Sequence, residues 1–388
     1  MADGDSNVPD PFASLPMFAE MAKALAGQGP LNWEAARQFA VMAANGGAGE
    51  PNVDPMARMR LAELARIVEM HVADVAGADP AFPEITAVTR SAWALRSLDD
   101  YRPLFTDMAA SLSQSAADTP AEGDPMAAMM AGISRMMGPS MMGMAIGSMI
   151  GRLAARTFGC YDLPIPRPST DILVVPDNVE TFAQAWEIDA DEMRLWVIAQ
   201  ELTAHSLFSA VAFRNAVSDL FRRHVGAFRP DPTAIMDHLA AASDADMGDP
   251  MSAMQRLLSD PALLLGAVQS PDQAALAPAL DAAAAGVVGY VDYLVDTVAV
   301  RVIGGNSLRI ADAVRRRRVG ATPDDLFVER LLGLRLTIDH VQRGKDFVAG
   351  VVDRVGERRL TELFRRGDAL PTPAELEAPG LWVARLEL

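Results

Sequence analysis

Apolar residues recur at three- and four-residue intervals along most of the chain, the period of amphipathic helices. Residues 1–15 are polar and proline-containing, show no such period, and read as a mobile tail. Asn32 reads as the N-cap of a helix over 33–44. Gly46, Gly47 and Gly49 then break the chain before a longer amphipathic stretch over 55–76. Residues 91–112 read as further helix with an interruption near Pro103. The small and acidic residues of 117–124 mark a boundary, dividing an N-terminal helical portion (16–120) from a larger domain (121–388).

Beyond that boundary the pattern changes. Methionine recurs densely over 126–149, and Gly143, Gly147 and Gly151 fall four residues apart on one helix face, where small residues let a second helix approach closely. This predicts a central buried helix. A methionine-lined partner surface is a second reading. A membrane helix is a third, but the uncharged run over 136–150 is shorter than the roughly 20 residues that cross a bilayer. Residues 172–175 form the clearest strand, a β-branched run between Asp171 and Pro176. A helix capped by Asp189 or Asp191 runs through Ser209 with little polar face, which marks it as central. Helices over 231–242, 250–258, 273–303, 307–319, 324–336 and 341–364 complete the pattern, with turns at Gly304, Gly305 and Gly320. The expected fold is mainly α, with a short strand region.

Composition agrees: half the residues are hydrophobic and only 6% aromatic, a balance suited to helix packing. A net charge of −17 argues against nucleic acid and anionic membranes as partners. The one dense basic run, Arg315 to Arg318, closes a predicted helix, where cations suit the dipole; it reads as a solvated helix end or, alternatively, a docking patch for an acidic partner. A single cysteine, Cys160, and an N-terminus without signal-peptide features point to the cytoplasm, and Cys160 reads as a buried structural thiol.

The candidate chemistry sits in the central helix. A carboxylate inside an apolar helix is expensive unless it is paired or protonated, so Glu201 needs a reason to be there. In helical metallopeptidases the pattern His-Glu-x-x-His places two imidazoles on one helix face to hold zinc, with the glutamate as general base. Here the corresponding residues read Gln200-Glu201-Leu202-Thr203-Ala204.

Around this segment stand Gly29-Pro30-Leu31-Asn32-Trp33, Gly159-Cys160-Tyr161-Asp162-Leu163-Pro164, Gly289-Tyr290-Val291-Asp292, the arginine run, Leu331-Leu332-Gly333-Leu334 and Leu370-Pro371-Thr372. On these residues the chain resembles the actinobacterial zincin-like metallopeptidase family, known as a domain of unknown function and also described as hydrolases or as proteins associated with coenzyme F420 biosynthesis. The resemblance implies a zincin-like helical domain and places the family's zinc ligands at Gln200, Ala204 and Val288. It leaves Glu201 as a vestigial general base. None of the three replacements is a competent zinc ligand, so no metal cofactor is expected.

A shifted site is the alternative: Glu201 and His205 are four apart, as are Asp292 and Asp296, and together they could hold zinc. A histidine one position on aims about 100° away from the original metal position. His71, His224, His238 and His340 show no ligand spacing. The expected function is therefore a catalytically inactive homologue that binds an unknown protein or peptide; the alternative is an active zinc-dependent hydrolase with a rearranged site.

Overall fold

A computed structural model of the chain describes residues 29–77, 82–117, 125–229, 270–320, 332–334 and 336–387. The expected tail over 1–15, the boundary segment 118–124, the helices over 231–242 and 250–258 and most of the helix over 324–336 lie outside the described residues. The described end of that last helix turns at Gly333, φ 71°.

The fold is mainly α. Its N-terminal helices are α1 (Trp33–Asn45), α2 (Pro55–Ala76), α3 (Arg90–Asp100), α4 (Arg102–Ala117) and α5 (Pro125–Ala154). The middle of the chain supplies α6 (Pro176–Ala185), α7 (Ala190–Ser209) and α8 (Val211–Gly226). The C-terminal helices are α9 (Pro271–Val302), α10 (Ser307–Val319), α11 (Ile338–Val355), α12 (Glu357–Phe364), α13 (Pro373–Glu377) and α14 (Pro379–Glu387). Two three-residue strands, β1 (Ile85–Ala87) and β2 (Ile172–Val174), pair in parallel with Thr86 opposite Leu173.

Local chemistry sets the helix ends. The Asn32 side chain accepts from Ala35 N at 3.0 Å and so caps α1. The Asp189 carboxylate accepts from Asp191 N and Glu192 N and caps α7. The interruption expected near Pro103 falls at Tyr101, and Pro103 lies in the first turn of α4, where its missing N–H is harmless. The helix read over 341–364 is two, α11 and α12, parted at Gly356 with φ 81°.

The glycine stripe meets α1. A Cβ on Gly143, Gly147 or Gly151 would fall on the backbone oxygens of Asn32, Ala36 and Ala40 respectively, so only glycine lets the two backbones touch. Ala36, Ala40 and Ala44 are buried on the facing stripe. This contact joins segments on either side of residue 120, and one hydrophobic core runs through both.

By length and composition α9 could cross a bilayer, but it is mostly buried within the fold. It packs on α11, α7 and α2. An aromatic chain ties the C-terminus to this core: Phe364 lies 5.2 Å from Trp382 and 4.6 Å from Tyr290, ring centre to ring centre. Truncating the fully buried Trp382 would cost about 3–5 kcal/mol.

Candidate functional site

Glu201 lies mid-way along α7 and is fully buried. The preceding segment, Gly159 to Leu163, wraps over this face of the helix. Glu201 Oε2 accepts from Cys160 N at 2.7 Å, and Oε1 accepts from Tyr161 N at 3.1 Å. A Cβ on Gly159 would collide with the same carboxylate, and the Gly159 carbonyl accepts from Trp93 Nε1 at 2.9 Å and from Thr157 Oγ1 at 2.8 Å. Burial, reinforced by nearby Asp162, pushes the Glu201 carboxyl up to about 8 against the opposing pull of the two amides. Cys160 is buried beside it and accepts from Leu173 N at 3.2 Å. Burial pushes its thiol up to about 12, which suits a structural cysteine and disfavours a thiolate nucleophile.

On the adjoining face of α7, Gln200 and Ala204 line a small cleft together with Val288 of α9. Tyr161, Asp162, Asp292 and Arg318 complete its polar wall. The three positions that sequence reasoning marked are thus brought together. The cleft holds about 20 Å³, room for roughly one water molecule.

The carboxylates at this cleft are engaged. Asp162 Oδ2 accepts from Phe158 N at 2.9 Å and from Arg317 Nη2 at 2.8 Å. Arg318 Nη1 reaches both oxygens of Asp292 at 3.0 Å, while Arg315 Nε donates to the same group at 3.2 Å. Arg315 Nη2 also contacts both oxygens of Asp296 at 2.6 Å. Arg317 stacks 3.7 Å above the Phe158 ring.

The arginine run is therefore not a solvated helix end. The side chains of Arg315, Arg317 and Arg318 are 21%, 20% and 12% exposed; Arg316, paired to Asp312, is 67% exposed. Four successive residues turn through about 300° of a helix, so a run lying against the body must send some of its members inward.

His205 is only partly exposed, with Nδ1 3.3 Å from the Tyr161 hydroxyl. Burial, then Arg214, holds its imidazole below the usual value. Glu201 thus faces backbone amides, His205 faces Tyr161, and Asp292 and Asp296 face arginines. Among the described residues no group of three His, Cys, Asp or Glu side chains is placed to hold a metal ion.

A model of the zincin-like metallopeptidase family matches residues 31–383. The chain belongs to that family. A solved protein from Chloroflexus aurantiacus, described as a "putative hydrolase with a novel fold", superposes with a TM-score of 0.53 at 22% identity, covering 92% of this chain and 99% of that one. At that identity the likeness shows the fold alone. No curated protein matches the chain.

The described residues at this cleft do not fit the zinc ion that the zincin-like family name implies. A borderline-soft cation prefers imidazole, thiolate or free carboxylate. The positions that the resemblance marks for it offer one amide, a methyl group and an isopropyl group, and the adjoining carboxylates hold guanidinium groups. Sequence reasoning overlooked Asp162 as part of this wall and Arg317 as the residue that holds it. Asp162 stood within a motif already noted, but its partner lies 155 positions away and no spacing rule links them.

Proposed function

We propose that this chain is a non-catalytic member of the zincin-like family that acts as a protein- or peptide-binding module. The reading is carried by one observation: Gln200, Ala204 and Val288 line a common cleft, and not one of them is a zinc ligand. Glu201, without a metal-bound water, has no proton to take, and its two oxygens serve the loop at Cys160 and Tyr161. The binding side rests on the charge retained beside the cleft. A wall kept for packing alone is commonly more stable when apolar, whereas these ion pairs fix the loop and α10 in one register. With room for about one water inside the cleft, this reading has the partner contact its rim.

Elemental analysis of protein purified without chelator tests the reading, with an expected zinc content far below one per chain. Near-stoichiometric zinc that survives dialysis, together with peptide cleavage lost on chelation, would overturn it. An active hydrolase built on Glu201, His205, Asp292 and Asp296 would require all four to leave the partners described above.

A further inference from the structure

A larger cleft, about 300 Å³, lies between the start of α4, the loop through Arg167 and α8. That volume is at the lower end of small-molecule sites. It shares no lining residue with the cleft at Gln200. In a chain of net charge −17 its wall is locally basic, with Arg167, Arg214 and Arg222 against the single carboxylate of Asp100.

The arginines are not equally occupied. Arg222 is paired with Asp107 at 2.9 Å. The guanidinium of half-buried Arg214 has no hydrogen-bond or ion-pair partner among the described residues. Arg167 is 2% exposed; its Nε donates to Asp100 at 2.7 Å and its Nη2 to Ser97 Oγ at 3.1 Å, but the buried Nη1 has no partner. The Arg167 guanidinium also lies 5.6 Å from the Trp93 ring centre and 5.5 Å from that of Tyr101, so it forms a fixed, buried part of the wall. Residues 214, 218 and 222 recur every four positions, so α8 presents Arg214, Ser218 and Arg222 as one stripe along the cleft. Leu104, Ile165 and Phe221 supply apolar wall beside them.

We propose that this cleft binds a small monocarboxylate with a compact apolar body, its carboxylate held by the Arg214 guanidinium. Guanidinium forks match carboxylates and phosphates alike. The choice between them follows from the charge left over: Arg167 pairs with Asp100 and Arg222 with Asp107, so Arg214 alone remains to balance a ligand, which suits a singly charged group. The apolar half of the wall likewise excludes a bare inorganic ion as the preferred occupant.

Calorimetric titration of the full chain with phenylacetate tests this. The expected result is one site at low-millimolar or tighter affinity, no binding of neutral phenylacetamide, and no competition from inorganic phosphate. Arg214→Gln should weaken phenylacetate roughly tenfold or more, the effect of losing a charge-assisted hydrogen bond. Ser218→Phe, at a half-buried helix position, should abolish binding by filling the cleft while circular dichroism stays unchanged. Absence of phenylacetate binding, equal binding of the amide, indifference to Arg214→Gln, or preferential binding of phosphate would each overturn the proposal. None of these outcomes depends on zinc content, so this site and the non-catalytic reading stand or fall separately.

Discussion

Replacing Glu201 by glutamine keeps the shape of the side chain and changes two things with opposite signs. Both carboxylate oxygens accept from backbone N–H groups. Glutamine has one such oxygen, so its NH₂ would face the N–H of Cys160 or Tyr161. Leaving a buried donor unsatisfied costs about 1–3 kcal/mol. The charge works the other way. The carboxyl titrates near 8 in the fold against an ordinary 4.5, so the folded state holds its proton over a range where the unfolded chain has released it. Stability from this group is fully present below pH 4.5 and is lost as pH rises through 8.

From these two values the loss between pH 5 and pH 8 is roughly 3 kcal/mol. Glutamine does not titrate, so this slope should vanish in the variant. Urea denaturation of both proteins at half-unit steps should show the parent more stable near pH 5, with the difference shrinking and then reversing toward pH 8. A difference that stays flat across this window would refute the reasoning: the two amides would then outweigh burial and hold the carboxylate ionised throughout.

Gly147→Ala should destabilise by about 1–3 kcal/mol despite alanine's better helix propensity, because the added methyl meets the Ala36 carbonyl; a raised melting temperature would contradict the close α1–α5 contact. Arg318→Met should cost about 3 kcal/mol in urea denaturation, since Asp292 is 4% exposed and loses its two-oxygen partner, whereas Arg316→Met should change little. The triple variant Gln200→His, Ala204→His and Val288→Glu should gain a zinc-dependent rise in melting temperature that the single variants lack, because the three positions share one cleft. A folded triple variant with no zinc response would show that this cleft is not the family's metal site.

What was legible in the sequence was local. The caps at Asn32 and Asp189, the glycine stripe and the all-round apolar character of α7 each follow from residues within one or two turns of helix, and each appears in the fold. Strand β1 was not legible: three residues are too few to show a period of two, and Ile85 to Ala87 pair only because β2 lies alongside. The break at Gly356 was masked because the apolar period of α11 resumes in α12. The arginine run was read as solvated since nothing within α10 reveals Asp162 and Asp292 on other elements. The basic cleft was likewise invisible: Arg167 stands among prolines, and Arg214 is an ordinary polar position of an amphipathic helix until the fold sets them around one space.

Glu201 belongs with the fold as much as with any former chemistry. Gln200, Ala204 and Val288 form the wall of a cleft, where a change of side chain alters what the wall can bind but leaves the helices in place. Glu201 faces the other way, onto a glycine that any larger residue would drive into it and onto two amides that would lose their acceptor without it. A mutation at the wall therefore changes what the cleft can bind at little structural cost, while one at Glu201 also releases the Gly159–Leu163 loop, which carries Asp162 and so anchors Arg317. On this account the glutamate is physically constrained whatever its neighbours bind, and its presence says little about whether the chain cleaves peptides.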